Sequence, residues 1–350
     1  MFSHPHPEYI TAHQDMMKEQ DKVDKFFDNY YALNPSAPDL KMYNPWRKWT
    51  GTSDMFFTKS WLKLYEILNL PRSESYLTQF QKISSFHNCE LPGGFVLSLV
   101  WWCHQHNIKV DWMMSSYYDP DSPGEFLSDK YKLINKYPHR MVMGPIQTKK
   151  GIIWSNGDMT SLKSVKMVQA VRASRQELVN IYTSDGGIEA KRGVKYNMEQ
   201  DTTTLKYGEF YTGLVSLKPG GMMVVKVYDL DHQIMFGLVA SVASRFDHFE
   251  LHKPQISLPT NTEAFFVGWG YRPDSELINK LATAWTSFNG WIDYKHKISP
   301  QVAMQLDSQY VQIIKNRTIA LPQYLNGTLP PGNYDIPTVD TDLNIKLLDQ

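Results

Sequence analysis

The apolar positions of the chain fall into two periods, helical and strand-like, and their succession sets out a series of elements. In 58–70, Trp61, Leu64, Tyr65 and Leu68 lie at helical spacing, and Pro71 stops the run. The segment 83–89 reads as a strand that closes into Glu90-Leu91-Pro92-Gly93-Gly94-Phe95, followed by an apolar helix through His104. A second strand is expected at 108–115, a Pro- and Asp-rich insertion at 117–144, and a short strand at 152–155 ending in Asn156-Gly157-Asp158. Helix 161–180 leads into a strand at 178–183, which Ser184-Asp185-Gly186-Gly187 cuts off. A long helix, 198–217, runs to the turn Leu217-Lys218-Pro219-Gly220-Gly221, and 222–227 follows as a strand of continuous apolar character, as buried parallel strands are. Helix 232–244, strands 246–252 and 263–270, and helices 275–294 and 300–315 complete the series.

Alternation of strands and helices over this stretch implies a doubly wound α/β fold. The flanks have a different texture. Residues 1–50 are polar, with a helix at 8–31 and then Pro-rich turns, and read as an extension wrapped on a core. The organisation expected is an N-terminal extension (1–50), an α/β domain (51–275) and a mainly helical C-terminal extension with a Pro/Gly/Asp-rich tail (276–350).

Composition narrows the picture little. With 350 residues, 42% hydrophobic and 21% charged, the chain can bury a full core, and its zero net charge argues against a basic nucleic-acid coat while leaving room for a local basic groove. Two cysteines, Cys89 and Cys103, beside 16 methionines suggest a reducing compartment, and no Cys/His spacing resembles a metal cluster. The N-terminus lacks the basic-then-apolar pattern of a secretory signal, and the longest apolar run is far short of the ~20 residues of a membrane span. An intracellular, cytoplasmic protein without a membrane partner is the expectation.

Candidate chemistry starts at Lys226. A lysine inside an apolar strand either escapes to solvent from a sheet edge or is paired and used. Lys63 lies beside the apolar face of its helix, where a snorkelling surface role is the simpler reading. Asp158 and Asp185 both follow strands next to glycine, as helix caps do and as ligand-binding residues at strand ends do. Glu263 opens a strand, a position that is ordinarily solvated.

Together these residues resemble the FtsJ-like (RrmJ-like) ribose 2′-O-methyltransferases, which use S-adenosylmethionine on a doubly wound sheet of seven strands. The family's Lys-Asp-Lys-Glu tetrad is matched in order by Lys63 in SWLKLYEI, Asp185 in IYTSDGG, Lys226 after LKPGG, and Glu263 in NTEAFFVG, the last two steps being 41 and 37 residues. The resemblance covers about residues 55–272, and the wording NCELPGGF, NGDMT and YTSDGG is similar in particular to methyltransferase-like proteins of large cytoplasmic DNA viruses of the asfarvirus kind. It implies that Glu90, Pro92, Gly93, Gly94 and Phe95 hold the methionine end of the cofactor and Asp158 its adenosine end. It also implies that Lys226 acts as base or hydroxyl-orienting group, positioned by Asp185 and Glu263, with Lys63 steering the substrate. One departure stands out: where the family's first strand usually ends in Asp, this chain has His87.

The activity implied is RNA ribose 2′-O-methylation, at the mRNA 5′ cap, with RNA as partner and other capping or transcription subunits beside it. If the chain is viral, host cytoplasm or virion is the implied location. Methylation of ribosomal or transfer RNA is the neighbouring alternative. A catalytically degenerate RNA-binding scaffold is the alternative of another class.

Overall fold

The computed structural model describes residues 6–33, 58–118, 129, 131–148, 151–187, 198–287, 298–326 and 345–349. The Pro-rich turns expected between 34 and 45, the end of the helix expected at 275–294, and most of the tail lie outside them.

A six-stranded sheet organises the chain. Its strands are β1 (Lys82–Asn88), β2 (Lys109–Met114), β5 (Val179–Ser184), β6 (Leu217–Val227), β7 (Phe246–His252) and β8 (Ala264–Tyr271), in the order β2-β1-β5-β6-β8-β7. The first four run parallel, and β8 is antiparallel to both β6 and β7. The strands β3 (Gly144–Thr148) and β4 (Gly151–Ser155) form a separate two-stranded hairpin.

Two expectations are corrected here. The sheet has six strands rather than seven; beyond β2 a single bridge, Met114 to Met141, stands where a seventh would add. The apolar run 152–155 does not join the main sheet: Ile152 and Trp154 point outward at 71% and 45% exposure, so this segment has no two-sided burial and pairs only within its hairpin. Beyond these two, the Pro-Gly-Gly turn before Lys226 is corrected in register. Helix α6 (Met198–Ser216) runs directly into β6, and residues 218–221 are absorbed as a shift in the β5–β6 ladder, with Gly220 at φ +78°.

Period-two alternation distributes the strand side chains to two layers. Ile83, Ile181, Met222, Val224, Phe265 and Val267 face helices α2 (Lys59–Leu68), α3 (Pro71–Leu77) and α4 (Gly94–Gln105). Phe86, Tyr182, Met223, Val225, Val227 and Phe266 face α5 (Leu162–Arg175), α6 and α7 (Gln233–Ala243). Pro71 ends α2, as expected, and also starts α3 as its first residue, where its missing N–H costs nothing.

The extensions belong to the second layer. Helix α1 (Tyr9–Leu33) packs along α9 (Pro300–Leu325), and Tyr9, Met16 and Val23 join the core with Leu306, Tyr310 and Ile314. Their contact reaches the loop leaving β6: the hydroxyls of Tyr9 and Tyr310 both donate to Asp231 Oδ1, at 2.9 and 2.7 Å. Helix α9 extends ten residues past the expected end at 315, carrying Arg317, which bonds Thr260 O and Gln20. Helix α8 (Ser275–Ser287) completes this layer.

Candidate active site

The same alternation explains how the site assembles. Asp185 continues the face of Ile181 in β5, Lys226 that of Val224 in β6, and Glu263 that of Phe265 in β8, so all three side chains emerge on the α2 side. The ladders level their strand ends, pairing Asn88 with Ser184, Ser184 with Val225, and Val227 with Ala264. Helix α2 lies over that edge. Its N-cap Thr58 accepts from Trp61 N, and the bare Cα of Gly94 admits its first turn, since a Cβ there would stand 2.4 Å from Thr58 Oγ1.

Lys63, on α2, is buried rather than snorkelling, and it pairs with Glu263 Oε1 at 2.7 Å. Lys226 lies 3.0 Å from Asp185 Oδ1, an ion pair out of line for a hydrogen bond. Four candidate residues from four elements thus form two salt bridges at one edge. Ser60 Oγ donates to Asp185 Oδ2 at 2.6 Å, and Ser257 Oγ to Glu263 Oε1 at 2.7 Å. Burial works against the charge of Lys226, but Asp185, Tyr228 and Glu263 outweigh it and raise its pKa well above the usual lysine value. Burial also opposes the Glu263 carboxylate, yet Lys63 and Lys226 hold it at about 2. Lys59, one turn before Lys63, is lowered by burial and by the Lys63 charge. Lys253 is pulled down to about 7 by burial, while its ammonium donates to Asn261 O, Asn261 Oδ1 and Glu263 O, fastening the loop before Glu263.

The turn after β1 departs from expectation. Glu90 is buried, and its Oε1 accepts from Phe95 N at 2.5 Å and Val96 N at 3.1 Å, capping α4. Burial raises its pKa well above the carboxylate range. Its first task is therefore the helix end. Phe95 gives its N–H to Glu90, and its ring is wholly buried against Phe265. His87 is a satisfied core histidine, bonded to Thr183 and Ser85 and held neutral, its pKa pushed down by burial to about 3. Pro92 follows a cis bond, and Gly93, at φ +113°, is the N-cap of α4.

Asp158 is brought to the same edge by its neighbours. Asn156 O accepts from Tyr118 N, and Gly157 rests on Ser116, where a Cβ would come 1.9 Å from the Ser116 carbonyl oxygen. The Asp158 carboxylate accepts from Thr160 N and Oγ1, closing its own turn. The structure does not bring Asp158 into the ion-pair cluster, so the choice of Asp185 for that cluster is consistent with the geometry.

A nucleoside cofactor bearing an amino-acid end fits this edge. Asn88 Oδ1 and Ser115 Oγ, at the ends of β1 and β2, are buried without hydrogen-bond partners among the described residues, and a ligand with an ammonium and hydroxyls supplies the donors they lack. Neither was singled out from the sequence; the strand-end position is the signal that would have found them. Lys206 and Glu209, also missed, sit as an i,i+3 pair within the otherwise apolar-spaced LKYGEFYTGL.

A doubly wound sheet whose carboxyl edge gathers two lysines and two carboxylates beside a glycine turn is a Rossmann-like arrangement. The sequence model of the FtsJ-like methyltransferase family matches residues 56–271, and the chain belongs to that family, with S-adenosylmethionine as its methyl donor. It is 35% identical over 215 residues to the probable methyltransferase EP424R of African swine fever virus (Warthog/Namibia isolate), covering 60% of this chain and 48% of that protein. It is 26% identical to the mouse cap-specific mRNA (nucleoside-2′-O-)-methyltransferase 2 over 61% of this chain and 27% of the relative. The chain thus spans about half the length of the viral relative. Among solved structures, a putative ribosomal RNA methyltransferase of Plasmodium falciparum aligns with 63% of this chain and all of its own, at 15% identity and a TM-score of 0.37.

Proposed function

We propose that the protein methylates RNA at a ribose 2′-hydroxyl, and that its acceptor is the 5′-capped end of mRNA. The observation that carries this reading is the pair of buried salt bridges, Lys63–Glu263 and Lys226–Asp185, at one strand edge. The names of the mouse and other cap-specific relatives support the choice of acceptor. When bound, S-adenosylmethionine supplies an already activated methyl group.

The protein's own residues have to orient the acceptor hydroxyl and receive its proton. Lys226 holds its proton in this state, so its N–H groups orient the hydroxyl oxygen. Asp185 Oδ1, buried and lacking an aligned donor, is the acceptor for the hydroxyl proton. Ser60, bonded to the other oxygen, keeps that carboxylate from turning. Lys63 is neutralised by Glu263, which leaves Lys59 the less compensated cation on α2 to meet an incoming phosphate. Asn88, Ser115, Gly93, Gly94 and Asp158 line the cofactor side, and no role beyond capping falls to Glu90.

The test is methyl transfer to short RNA with and without a cap, using the wild type and Lys226→Ala. Transfer to capped RNA alone, lost in Lys226→Ala with cofactor binding retained by calorimetry, is the expected result. Equal transfer to uncapped RNA refutes the cap, and full activity in Lys226→Ala refutes the assigned site.

A further inference from the structure

On the opposite face of the sheet, α6 carries Lys206 and Glu209, both wholly buried, with Nζ and Oε2 2.5 Å apart. A buried ion pair is a weak source of net stability, because desolvating two charges offsets their attraction. This one grips a single residue from both of its flanking peptides. Glu209 Oε1 accepts from Gly186 N at 2.9 Å and from Ser184 Oγ at 2.6 Å, while Lys206 Nζ donates to Gly186 O at 2.9 Å. Both polar groups of the residue after Asp185 are thus held by one lysine and one glutamate a turn apart. The grip is close enough to require glycine: a Cβ on residue 186 would come 2.1 Å from Glu209 Oε1 and 3.1 Å from Cys89 Sγ.

Among the described residues, Asp185 has one other backbone hydrogen bond. It stands just beyond β5, and its N–H reaches Asn88 O only at 3.4 Å. Its side chain goes to the α2 face and its following peptide to the α6 face. A second link runs through Tyr228, whose ring centre lies 6.0 Å from Lys206 Nζ and 5.6 Å from Lys226 Nζ.

We propose that Lys206 and Glu209 are positioning residues for methyl transfer: by holding the backbone of Gly186 from behind the sheet, they fix the direction in which Asp185 presents its carboxylate to Lys226. This rests on the reading above, in which the Lys226–Asp185 pair handles the acceptor hydroxyl. Neither residue touches the reacting atoms. A small displacement of a positioned group is enough to cost a large part of the rate.

The double variant Lys206→Met/Glu209→Gln removes both charges together and keeps an oxygen for the Gly186 N–H, so no buried charge is left unpaired. Two readings follow. The first is the titration of Lys226, by NMR of isotopically labelled lysine in the full chain; Asp185, Tyr228 and Glu263, which face it, are all unchanged. The second is kcat, KM for capped RNA, and cofactor affinity by calorimetry, with thermal unfolding as the check on folding.

The expected outcome is a lower Lys226 pKa and a kcat reduced about tenfold or more, with KM and cofactor affinity within about twofold, and recovery in Lys206→Arg. An unmoved Lys226 titration, or a kcat loss that only tracks the unfolded fraction, overturns the proposal. A wild type that transfers no methyl group overturns the function proposed above, and the Lys226 titration then decides the positioning role by itself. Should the double variant not fold, Gly186→Ala, which displaces Glu209 sterically, carries the same readings.

Discussion

Glu263→Gln isolates the charge that balances the site. The glutamate is buried and bonded to Lys63 and Ser257, and the two lysines hold its pKa at about 2 against an ordinary 4.5. Burial by itself would raise the value, so the net depression measures how far the lysines outweigh desolvation. Moving from 4.5 to about 2 corresponds to roughly 3 kcal/mol of folding stability. Because the folded-state value is depressed, that contribution is fully present above pH 4.5 and is lost as pH falls toward 2. A glutamine keeps the shape and the Ser257 bond but carries no charge, and it leaves Lys63 buried without a counter-ion. Chemical denaturation of wild type and variant from pH 7 downward is the assay. The stability difference should be flat at roughly 3 kcal/mol above pH 5 and should shrink steadily below it. That is a large part of the ~5–15 kcal/mol of a typical domain. A difference that stays constant from pH 7 to pH 3 refutes the assignment of this charge to the Lys63 and Lys226 balance.

Three further outcomes follow from the geometry. Gly186→Ala forces a Cβ to within 2.1 Å of Glu209 Oε1, so the melting temperature should fall by an amount equivalent to about 1–3 kcal/mol. Ser60→Ala removes the 2.6 Å bond to Asp185 and should lower kcat with little change in cofactor affinity, measured by steady-state kinetics and calorimetry. His252, bonded to Glu66 on α2 and near Glu250, is raised to about 9 although burial opposes this, so it contributes stability below pH 6.5 that is lost as pH rises through 9. In His252→Gln that alkaline loss should be absent, worth ~2 kcal/mol after partial exposure is allowed for, as read from denaturation at pH 6 and pH 10.

Much of the sheet was legible because its strands carry their own punctuation. Strands 83–89 and 246–252 and the helix after Gly93 fell within a residue or two of their places, since Pro92-Gly93 and Pro254 punctuate the chain where these strands end. The tetrad residues were legible by motif, and period-two alternation then gives a physical reason for their convergence: Ile181 to Asp185, Val224 to Lys226, and Phe265 to Glu263 each preserve the face. What escaped was whatever depended on pairing across the chain. Ile152 and Trp154 look like any short strand until the partner strand, and hence their exposure, is known. Glu90 reads from the motif as a cofactor contact, and only the position of α4's first N–H groups brings out its capping bonds. Lys206 and Glu209 carry no local signal of their role, because nothing in their stretch reports that α6 is buried on that side.

The helices at the two ends of the described chain meet over the loop that leaves the Lys226 strand, where Tyr9 and Tyr310 share Asp231, and His6 reaches Asp307 across 301 positions of sequence. A ribosome delivers α1 before the sheet and its packing partner α9 after it. Until α9 has emerged, Asp231 lacks Tyr310, and the loop before Glu263 lacks the Arg317 bond to Thr260. The edge carrying the candidate site is thus braced by a helix made after the whole sheet, and a growing chain that has completed its sheet still lacks these contacts. Contacts this distant also slow closure. The order of synthesis therefore separates completion of the sheet from completion of its bracing, a delay set by topology.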